Sequence, residues 1–348
     1  LELDATQLNR QTKFFPLQLK TALSVSTPDH QIKAVLDYNG KIRLDSSLLH
    51  EPYLALRNAG VNGQLLARNI RFNKFKLSKL NAKVLNKKGI LTLNPLKMSL
   101  YSGDSAGDLT YQFSTKKLSI NQIASNINAN QFFTNIFGKT QVKGNLDLSI
   151  HGSINLKEDA WQDNVSGSGN LTIKDGVLHF IDLQSLADNA SKKIHALPTE
   201  NQNDVELALE QPLVPQRNSL GSTSFQLLSL QYQLKNALFF CNSLLLHTSN
   251  IQLRGNGQIN LNNHAITGNL YAILGTNDSM LNKIQQLLGG NFPLKLSGTL
   301  TQPEISPNAR AINPILTRYM LKSALVYPVK QIKNQLETIL LSPLLLAN

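Results

Sequence analysis

The sequence predicts a mainly β protein, in which an elongated, curled antiparallel sheet forms an incompletely closed groove with a few short capping helices and a helical C-terminal tail. Two observations support this prediction. Apolar and polar residues alternate along most of the 348-residue chain, as they do in strands with one buried and one solvated face. Only 16% of the residues are charged, below the usual value of about a quarter, so uncharged polar side chains form most of the solvated faces.

The first strands illustrate the alternation. In the segment LQLKTALSV, Leu17, Leu19 and Leu23 share one face. Asn39-Gly40 interrupts the next alternating segment and predicts a tight hairpin, because both residues tolerate positive φ. A glycine followed by alternating Leu or Ile recurs later at irregular spacing. This irregularity argues against a propeller or a regular solenoid and favours one sheet that grows hairpin by hairpin.

Helical periodicity interrupts the strands at a few places. In the clearest case Asp278 is a suitable N-cap and Gly289-Gly290 a suitable end. A tail helix is expected from Asn313-Pro314, where a cap precedes a proline at the first helical position. The expected organisation is a continuous β-groove over 1–306, with helical insertions near 119–137, 179–197 and 278–288, followed by a helical tail over 307–348.

The segment GDSAG at 103–107 fits the G-x-S-x-G pattern of many hydrolases. A nucleophile elbow requires a helix directly after the serine, whereas the following residues DLTYQF alternate as a strand does. We therefore interpret Ser105 as a turn residue. The segment GSGNLT lacks the third glycine of a dinucleotide-binding motif, since that position is Thr172, and Asp175-Gly176 predicts another hairpin. No catalytic constellation is recognised, and enzyme activity is not expected.

Charge and cysteine content restrict the partners further. The formal net charge of +12 favours anionic partners such as phosphates or membrane surfaces. The basic residues are scattered along the chain rather than gathered on one helix, so no nucleic-acid partner is expected. The single cysteine, Cys241, cannot form an internal disulfide, and the histidines lack metal-binding spacing, so neither a metal nor a cofactor is expected. The densest basic cluster, which we interpret as the solvated face of a strand pair, is Arg68, Arg71, Lys74, Lys76 and Lys79.

The segment LSKLNAKVLNKKGILTLNPLKMSLYSGDSAGDLTYQFS resembles a signature of the AsmA family of bacterial envelope proteins, in which a glycine turn leads to L-x-L-x-P-L, L-Y-x-G and G-x-L. Three further segments, GNLDLSIHGS, SGSGNLTIKDGVLHFIDLQSL and PLKLSGTLTQPEISPN, resemble later parts of the family. One position departs from the pattern, because Asp104 replaces the usual second glycine after L-Y-x-G. The matching residues are Gly89, Leu91, Leu93, Pro95, Leu96, Leu100, Tyr101, Gly103, Gly107 and Leu109.

The resemblance implies a periplasmic protein that is anchored in the inner membrane by an N-terminal helix upstream of this chain. It also implies a relation to TamB-like proteins with long, incompletely closed β-grooves. The implied role is non-enzymatic: binding phospholipid or another anionic lipid, and conducting its acyl chains between the inner and outer membranes in support of outer-membrane assembly. The alternative is a structural or assembly factor that contacts an envelope protein partner through its sheet edges.

A sheet with one apolar face must cover that face. If this sheet closes, its alternating apolar residues are ordinary core, and if it stays open they form a slot for acyl chains. Each buried CH₂ would contribute about 0.8 kcal/mol to binding. The candidates for the groove lining are Leu17, Leu19, Leu23, Leu91, Leu93, Leu146, Leu148, Ile150, Leu171, Ile173, Leu238, Phe240, Leu244, Leu246, Leu270, Leu294, Leu296 and Leu300.

Two further features bear on the shape of the groove. At Pro95 the apolar residues switch from odd to even positions, which predicts a bend or bulge where the sheet curls. The C-terminal helices have two open interpretations. They either cap the end of the sheet and protect its edge, or place an apolar face on a membrane or partner.

Overall fold

The computed structural model describes residues 14–26, 31–44, 52–73, 75–137, 142–156, 164–179, 181–195, 221–299, 302–315 and 318. Within them, fifteen strands form one antiparallel sheet whose spatial order is the order in the sequence. The first and last strands lie at opposite edges and are not paired with each other. The predicted fold class, a mainly β protein with an elongated, incompletely closed antiparallel sheet, is therefore confirmed.

Most strands are long enough to cross the whole height of the sheet. Seven of the connections between them are described in full, and several of these are short turns. The strands are β1 (Phe15–Ser26), β2 (Gln31–Arg43), β3 (Gly60–Phe72), β4 (Phe75–Lys87), β5 (Ile90–Leu100), β6 (Gly103–Gln112), β7 (Lys117–Asn128), β8 (Val142–Asn155), β9 (Val165–Leu178), β10 (Thr223–Lys235), β11 (Leu238–His247), β12 (Ile251–Asn260), β13 (Ile266–Leu274), β14 (Phe292–Thr299) and β15 (Gln302–Pro307).

Short helices lie in the connections between the strands. Residues 309–315, after β15, are also helical. The helices are α1 (Pro52–Asn58) between β2 and β3, α2 (Ala129–Phe137) after β7, α3 (Leu183–His195) after β9 and α4 (Ser279–Leu287) after β13.

The helices differ from the sequence-based expectation mainly at the first insertion. Residues 119–128 belong to β7, so the helix predicted from residue 119 begins only at Ala129. Pairing of β7 with both β6 and β8 outweighs the marginal helical periodicity there. The structure places α3 and α4 within the other two predicted ranges, and Asp278 is the N-cap of α4. The predicted start of the tail helix at Asn313-Pro314 is wrong, because the helix begins at residue 309 and both residues lie inside it. Residues 316–317 and 319–348 of the predicted tail lie outside the described residues.

The hairpin between β5 and β6 turns at Tyr101-Ser102. Both residues have positive φ, 48° and 67°, as a two-residue turn that matches the strand twist requires. Ser105 consequently lies inside β6 and is buried. Its interpretation as a turn residue is wrong, because the turn is completed before Gly103.

Two other predicted hairpins are also wrong. Asn39-Gly40 lies inside β2, where Gly40 faces Gly63 of β3. A Cβ on Gly63 would lie only 2.7 Å from the Gly40 Cα, so these glycines permit close approach of two strands. Asp175-Gly176 lies inside β9, at an irregularity where Asp175 has a φ of 49°. Turn-forming residues thus mark tight contacts and bulges within long strands.

The bulge predicted at Pro95 is confirmed. The register of β5 with β6 shifts between Leu93 and Leu96, and the register with β4 shifts at the same place. The extra residue moves even positions onto the side that odd positions held before it. Leu91 and Met98 therefore face the same side of the sheet although their numbers differ in parity.

The hydrophobic core lies at one end of the sheet. Helices α2, α3 and α4 and the segment 309–315 all follow odd-numbered strands, so they emerge at the same end, which we call the capped end. They pack with strand residues into one cluster that includes Leu100 of β5, Ile305 of β15 and Ile312. Because residues from distant strands meet in this cluster, the sheet curls around it. We call the opposite end of the sheet the uncapped end. Among the described residues, the helix at that end is α1, which follows β2.

Candidate functional site

The candidate site is the side of the sheet that carries the hydrophobic cluster, which we call the inner wall. Directly opposed residues on antiparallel strands point to the same side, so the register assigns each paired residue to one side. The inner wall can be followed from strand to strand without interruption. One row near the uncapped end consists of Leu91, Tyr111, Leu118, Ile154 and Val165.

The inner wall is uncharged. In the described strands, no Asp, Glu, Lys, Arg or His occupies a paired inner-wall position. Two of its polar side chains satisfy each other: the Ser105 hydroxyl donates to Gln122 Oε1. The Gln122 amide in turn lies 3.5 Å from the carbonyl oxygen of Leu96. A mobile apolar group would therefore meet no fixed charge along this wall.

The two halves of the inner wall differ in packing. Toward the capped end Leu146 is 0% and Ile173 1% exposed, since the helices cover them. On the same strands, Leu171 is half-buried against the margin of the cluster, and farther toward the uncapped end Ile150 is half-buried outside it. The sheet is thus a filled core in its capped half and an accessible apolar surface in its uncapped half.

The structure brings most of the predicted lining residues together on the inner wall. Leu23, on the edge strand β1, is 39% exposed. Packed in the cluster are Leu146, Ile173, Leu246, Leu270 and Leu294. Half-buried on the same wall are Leu17, Leu19, Leu91, Leu93, Leu148, Ile150, Leu171, Leu244 and Leu296.

Two predicted residues lie on the other side of the sheet. The register of β11 shifts near Asn242, against both β10 and β12. This bulge breaks the single ladder that alternation predicts, so Leu238 and Phe240 face away from Leu244. Their assignment to the lining is therefore wrong. Leu300 lies outside the described residues.

The bulge places other residues on the inner wall that sequence reasoning missed. Phe239 and Cys241 occupy inner positions of β11, opposite Leu234 and Tyr232. The rings of Phe239 and Tyr232 stack with centroids 5.1 Å apart. The signal available in the sequence was the polar pair Asn-Ser in an otherwise apolar strand, which is where the bulge forms.

Burial on the inner wall raises the pKa values of two groups that face each other near the β11 bulge. Desolvation raises the pKa of the Tyr232 hydroxyl, which donates to the carbonyl oxygen of Ser149 at 3.0 Å. Desolvation likewise raises the pKa of the Cys241 thiol, with a smaller opposing effect from the Ser243 backbone. Both shifts have the sign expected where the surroundings disfavour charge.

The described residues provide little for bond-making chemistry. No group of three or more His, Cys, Asp or Glu side chains within them could hold a metal ion. Ser105 is followed by strand rather than helix, and its hydroxyl is bonded to an amide side chain. In this part of the chain, no helix is long and apolar enough to cross a membrane. What the arrangement offers is an extended apolar contact surface.

The geometry defines a class of protein: an open antiparallel β-groove with an uncharged inner wall, packed at one end and accessible at the other. A family model described as the AsmA family matches residues 44–244. Since this match covers more than half of the chain, the protein belongs to the AsmA family, and the resemblance seen in the sequence is confirmed. Membership is consistent with an envelope-associated role in lipid transport or assembly. Searches of curated proteins and of solved structures found no significant match.

Proposed function

We propose that this protein is a non-enzymatic, periplasmic lipid carrier that binds acyl chains of phospholipid along the inner wall and conducts them between the inner and outer membranes. In this role it would support outer-membrane assembly. The observation that carries the proposal is the accessible half of the wall, where apolar side chains from many neighbouring strands share one side of the sheet and remain half-buried.

The energetics favour an acyl chain as the occupant. Burial of apolar surface contributes about 0.8 kcal/mol per CH₂, so a chain of many methylenes gains affinity without any specific contact. Because no charged side chain occupies a paired position of the described wall, no fixed charge would interrupt the apolar contact of an acyl chain along it. Headgroups would remain in water at the open side.

A transfer assay with two matched isoleucines tests the proposal. Ile150 of β8 lies on the inner wall, and Ile123 of β7 lies on the outer face and is 61% exposed. We expect Ile150→Glu to abolish transfer of a fluorescent phospholipid between donor and acceptor vesicles, because a carboxylate would enter the apolar path. Ile123→Glu adds the same charge nearby and should leave transfer unchanged. Equal transfer by both variants would refute the proposal.

Photocrosslinking tests which part of the wall the lipid occupies. A benzophenone amino acid replaces Phe239 in the accessible half, or Phe292, which is 1% exposed in the packed cluster. We expect crosslinks to phospholipid at position 239 and none at 292. Crosslinks at neither position, in protein shown by native mass spectrometry to have folded, would leave the groove without a lipid occupant and contradict the proposal.

A second candidate function is an assembly factor that binds an envelope protein through the sheet edge. The favouring observation is β1, a 12-residue edge strand with one side unpaired in the described sheet, since such edges can accept a further strand. Crosslinks from β1 to a protein, together with wild-type lipid transfer by Ile150→Glu, would favour this candidate over the carrier.

A further inference from the structure

The charges of the first strands lie on one side of the sheet. We call the outer side of β2–β5 the basic face. By register, every lysine and arginine of these four strands lies on it, and the acid among their residues is Asp37. The cations of the basic face are Lys33, Lys41, Arg43, Arg68, Arg71, Lys76, Lys79, Lys83, Lys87 and Lys97.

The basic face contrasts with the outer side of the later strands. From β6 to β15 the acids and bases are mixed, as in the ion pair of Lys174 with Asp147 at 3.2 Å. On the basic face Asp37 lies 3.8 Å from Lys20 of β1. None of the ion pairs found among the described residues neutralises the cations of β3 to β5.

Like charges stand directly opposite one another on the basic face. Lys33, Arg71 and Lys76 form one cross-strand row, and Arg68 faces Lys79 in another. Adjacent strands are only about 4.8 Å apart, and like charges directly opposite destabilise a sheet. The arrangement therefore has a cost in stability that an anionic partner would remove.

The neighbourhood of the first row suits polar headgroups. Arg71 and Lys76 border a cleft of about 680 Å³, whose other walls are Asn69, Asn130, Gln131 and further uncharged residues. Val35, which is 45% exposed, lies opposite Arg68 and adds an apolar contact among the cations. Described strand positions of the basic face carry no aromatic side chain, and the one ring found against it among the described residues, that of Phe14, is covered by Arg43 with the guanidinium carbon 5.7 Å from the ring centroid. The described face therefore lacks the row of stacking rings that a nucleic acid would favour.

We propose that the basic face docks on the surface of a bilayer that contains anionic phospholipid, with the row Lys33–Arg71–Lys76 at the centre of the contact. Basic residues near an anionic membrane attract it within about a Debye length, about 8 Å at physiological salt. The docked protein places its capped end against the membrane, since the row lies where β3 ends and β4 begins. This inference does not depend on what the groove holds.

Vesicle flotation with charge-matched variants tests the docking. The test variant is Lys33→Gln/Arg71→Gln/Lys76→Gln. The control, Lys143→Gln/Lys235→Gln/Lys295→Gln, removes the same charge from exposed outer positions of later strands. The wild type should bind vesicles of phosphatidylcholine with phosphatidylglycerol, not phosphatidylcholine alone, and should be released at about 1 M salt. Each lost contact should weaken partitioning about fivefold, or roughly a hundredfold for the test variant, with little change for the control.

Several outcomes would overturn the docking. Equal weakening of both triple variants would mean that net charge, not this face, drives binding. Binding to neutral vesicles as strong as to anionic ones would exclude an electrostatic contact. A DNA oligonucleotide retained through the same three residues, without vesicle binding, would make nucleic acid the partner.

The urea midpoint of the test variant should equal or exceed that of the wild type, because repulsion is removed. Ile150→Glu should dock normally, which separates this proposal from lipid transfer.

Discussion

Replacement of Gly169 by alanine should destabilise the curled sheet at a defined point. Gly169 lies on the inner wall of β9, between Ile150 and Tyr232 on the neighbouring strands. A Cβ there would overlap the Ser149 carbonyl oxygen and would lie 2.7 Å from the Tyr232 hydroxyl oxygen. The same hydroxyl donates to the Ser149 carbonyl at 3.0 Å. One added methyl group therefore disturbs both the strand spacing and a partly buried hydrogen bond.

The magnitude follows from these contacts. Overpacking of a tight site costs about 1–3 kcal/mol, and the displaced hydrogen bond about 1 kcal/mol more. The reduced entropy of the unfolded chain offsets about 0.5–1 kcal/mol of this. The expected net loss in free energy of unfolding is about 1–3.5 kcal/mol. Gly167→Ala, two residues earlier on the same wall, is the control, because its Cβ would lie 3.0 Å from the His151 carbonyl oxygen.

Urea unfolding followed by far-ultraviolet circular dichroism measures both variants. Gly169→Ala should lower the unfolding midpoint clearly, and Gly167→Ala should cost less than about 1 kcal/mol, since a small strand shift relieves its contact. In a Tyr232→Phe background the cost of Gly169→Ala should fall, because the hydroxyl it displaces is absent. If Gly169→Ala is as stable as the wild type, or no worse than Gly167→Ala, then close strand approach does not explain the inward glycines.

Three further changes have expected outcomes. The Ser191 hydroxyl and α4 backbone N–H groups hold the pKa of Asp278 below its ordinary value. This stabilisation is present at pH values above the pKa of Asp278 in the unfolded chain, and it is lost as the pH falls through the lowered pKa of the folded protein. Asp278→Ala should therefore cost about 1–2 kcal/mol at pH 7. It should also reduce the amount by which the urea midpoint falls at acidic pH. Burial raises the pKa of the Cys241 thiol, so iodoacetamide should alkylate Cys241 more slowly at pH 8 than it alkylates free cysteine. The alkylation rate of Cys241 should still rise above pH 9, and bound phospholipid should slow the reaction further. Ser105→Ala removes the hydroxyl that donates to Gln122 Oε1 and should cost about 1–3 kcal/mol in urea unfolding, whereas adding Gln122→Met should restore much of the loss.

The sheet could be predicted from sequence because alternation has a period that helices cannot share. The positions of the turns between strands were harder to predict, because Asn39-Gly40 and Asp175-Gly176 carry strong turn signals inside continuous strands. Local propensity favours a turn at each site. The paired neighbours on both sides, β1 with β3 and β8 with β10, outweigh it.

The lining residues of the candidate site were predicted correctly in those strand segments that contain no bulge. The ladder of β8 keeps one parity from Leu146 to Ile150, and its residues share the inner wall as expected. The ladder of β11 changes parity near Asn242, so Phe240 turns outward and Phe239 inward. At β5 a proline revealed the same kind of shift. At β11 two ordinary polar residues mark it, and sequence alone does not distinguish them from a continuing strand.

Features that depend on distant strands could not be predicted at all. From the sequence, the basic cluster around Arg71 was interpreted as one face of a single strand pair. Only the pairing of β2 with β3 shows that Lys33 lies beside Arg71 in the same cross-strand row. The division of the inner wall into packed and accessible halves depends on where the helices cross it. Nothing local to Ile173 or Leu171 distinguishes the buried residue from the half-buried one two positions away.

The packed half explains how the accessible half keeps its shape. An exposed apolar face has no core of its own to fix strand register, and large apolar patches invite association. Here the pairing of β8 with β9 continues without a register shift from Leu146 and Ile173 toward the uncapped end, so the register set around these two residues extends to Ile150 and Leu171 through one hydrogen-bonded ladder. A ligand that enters the accessible half therefore meets a surface already ordered, and the entropy of ordering that surface does not weaken its binding.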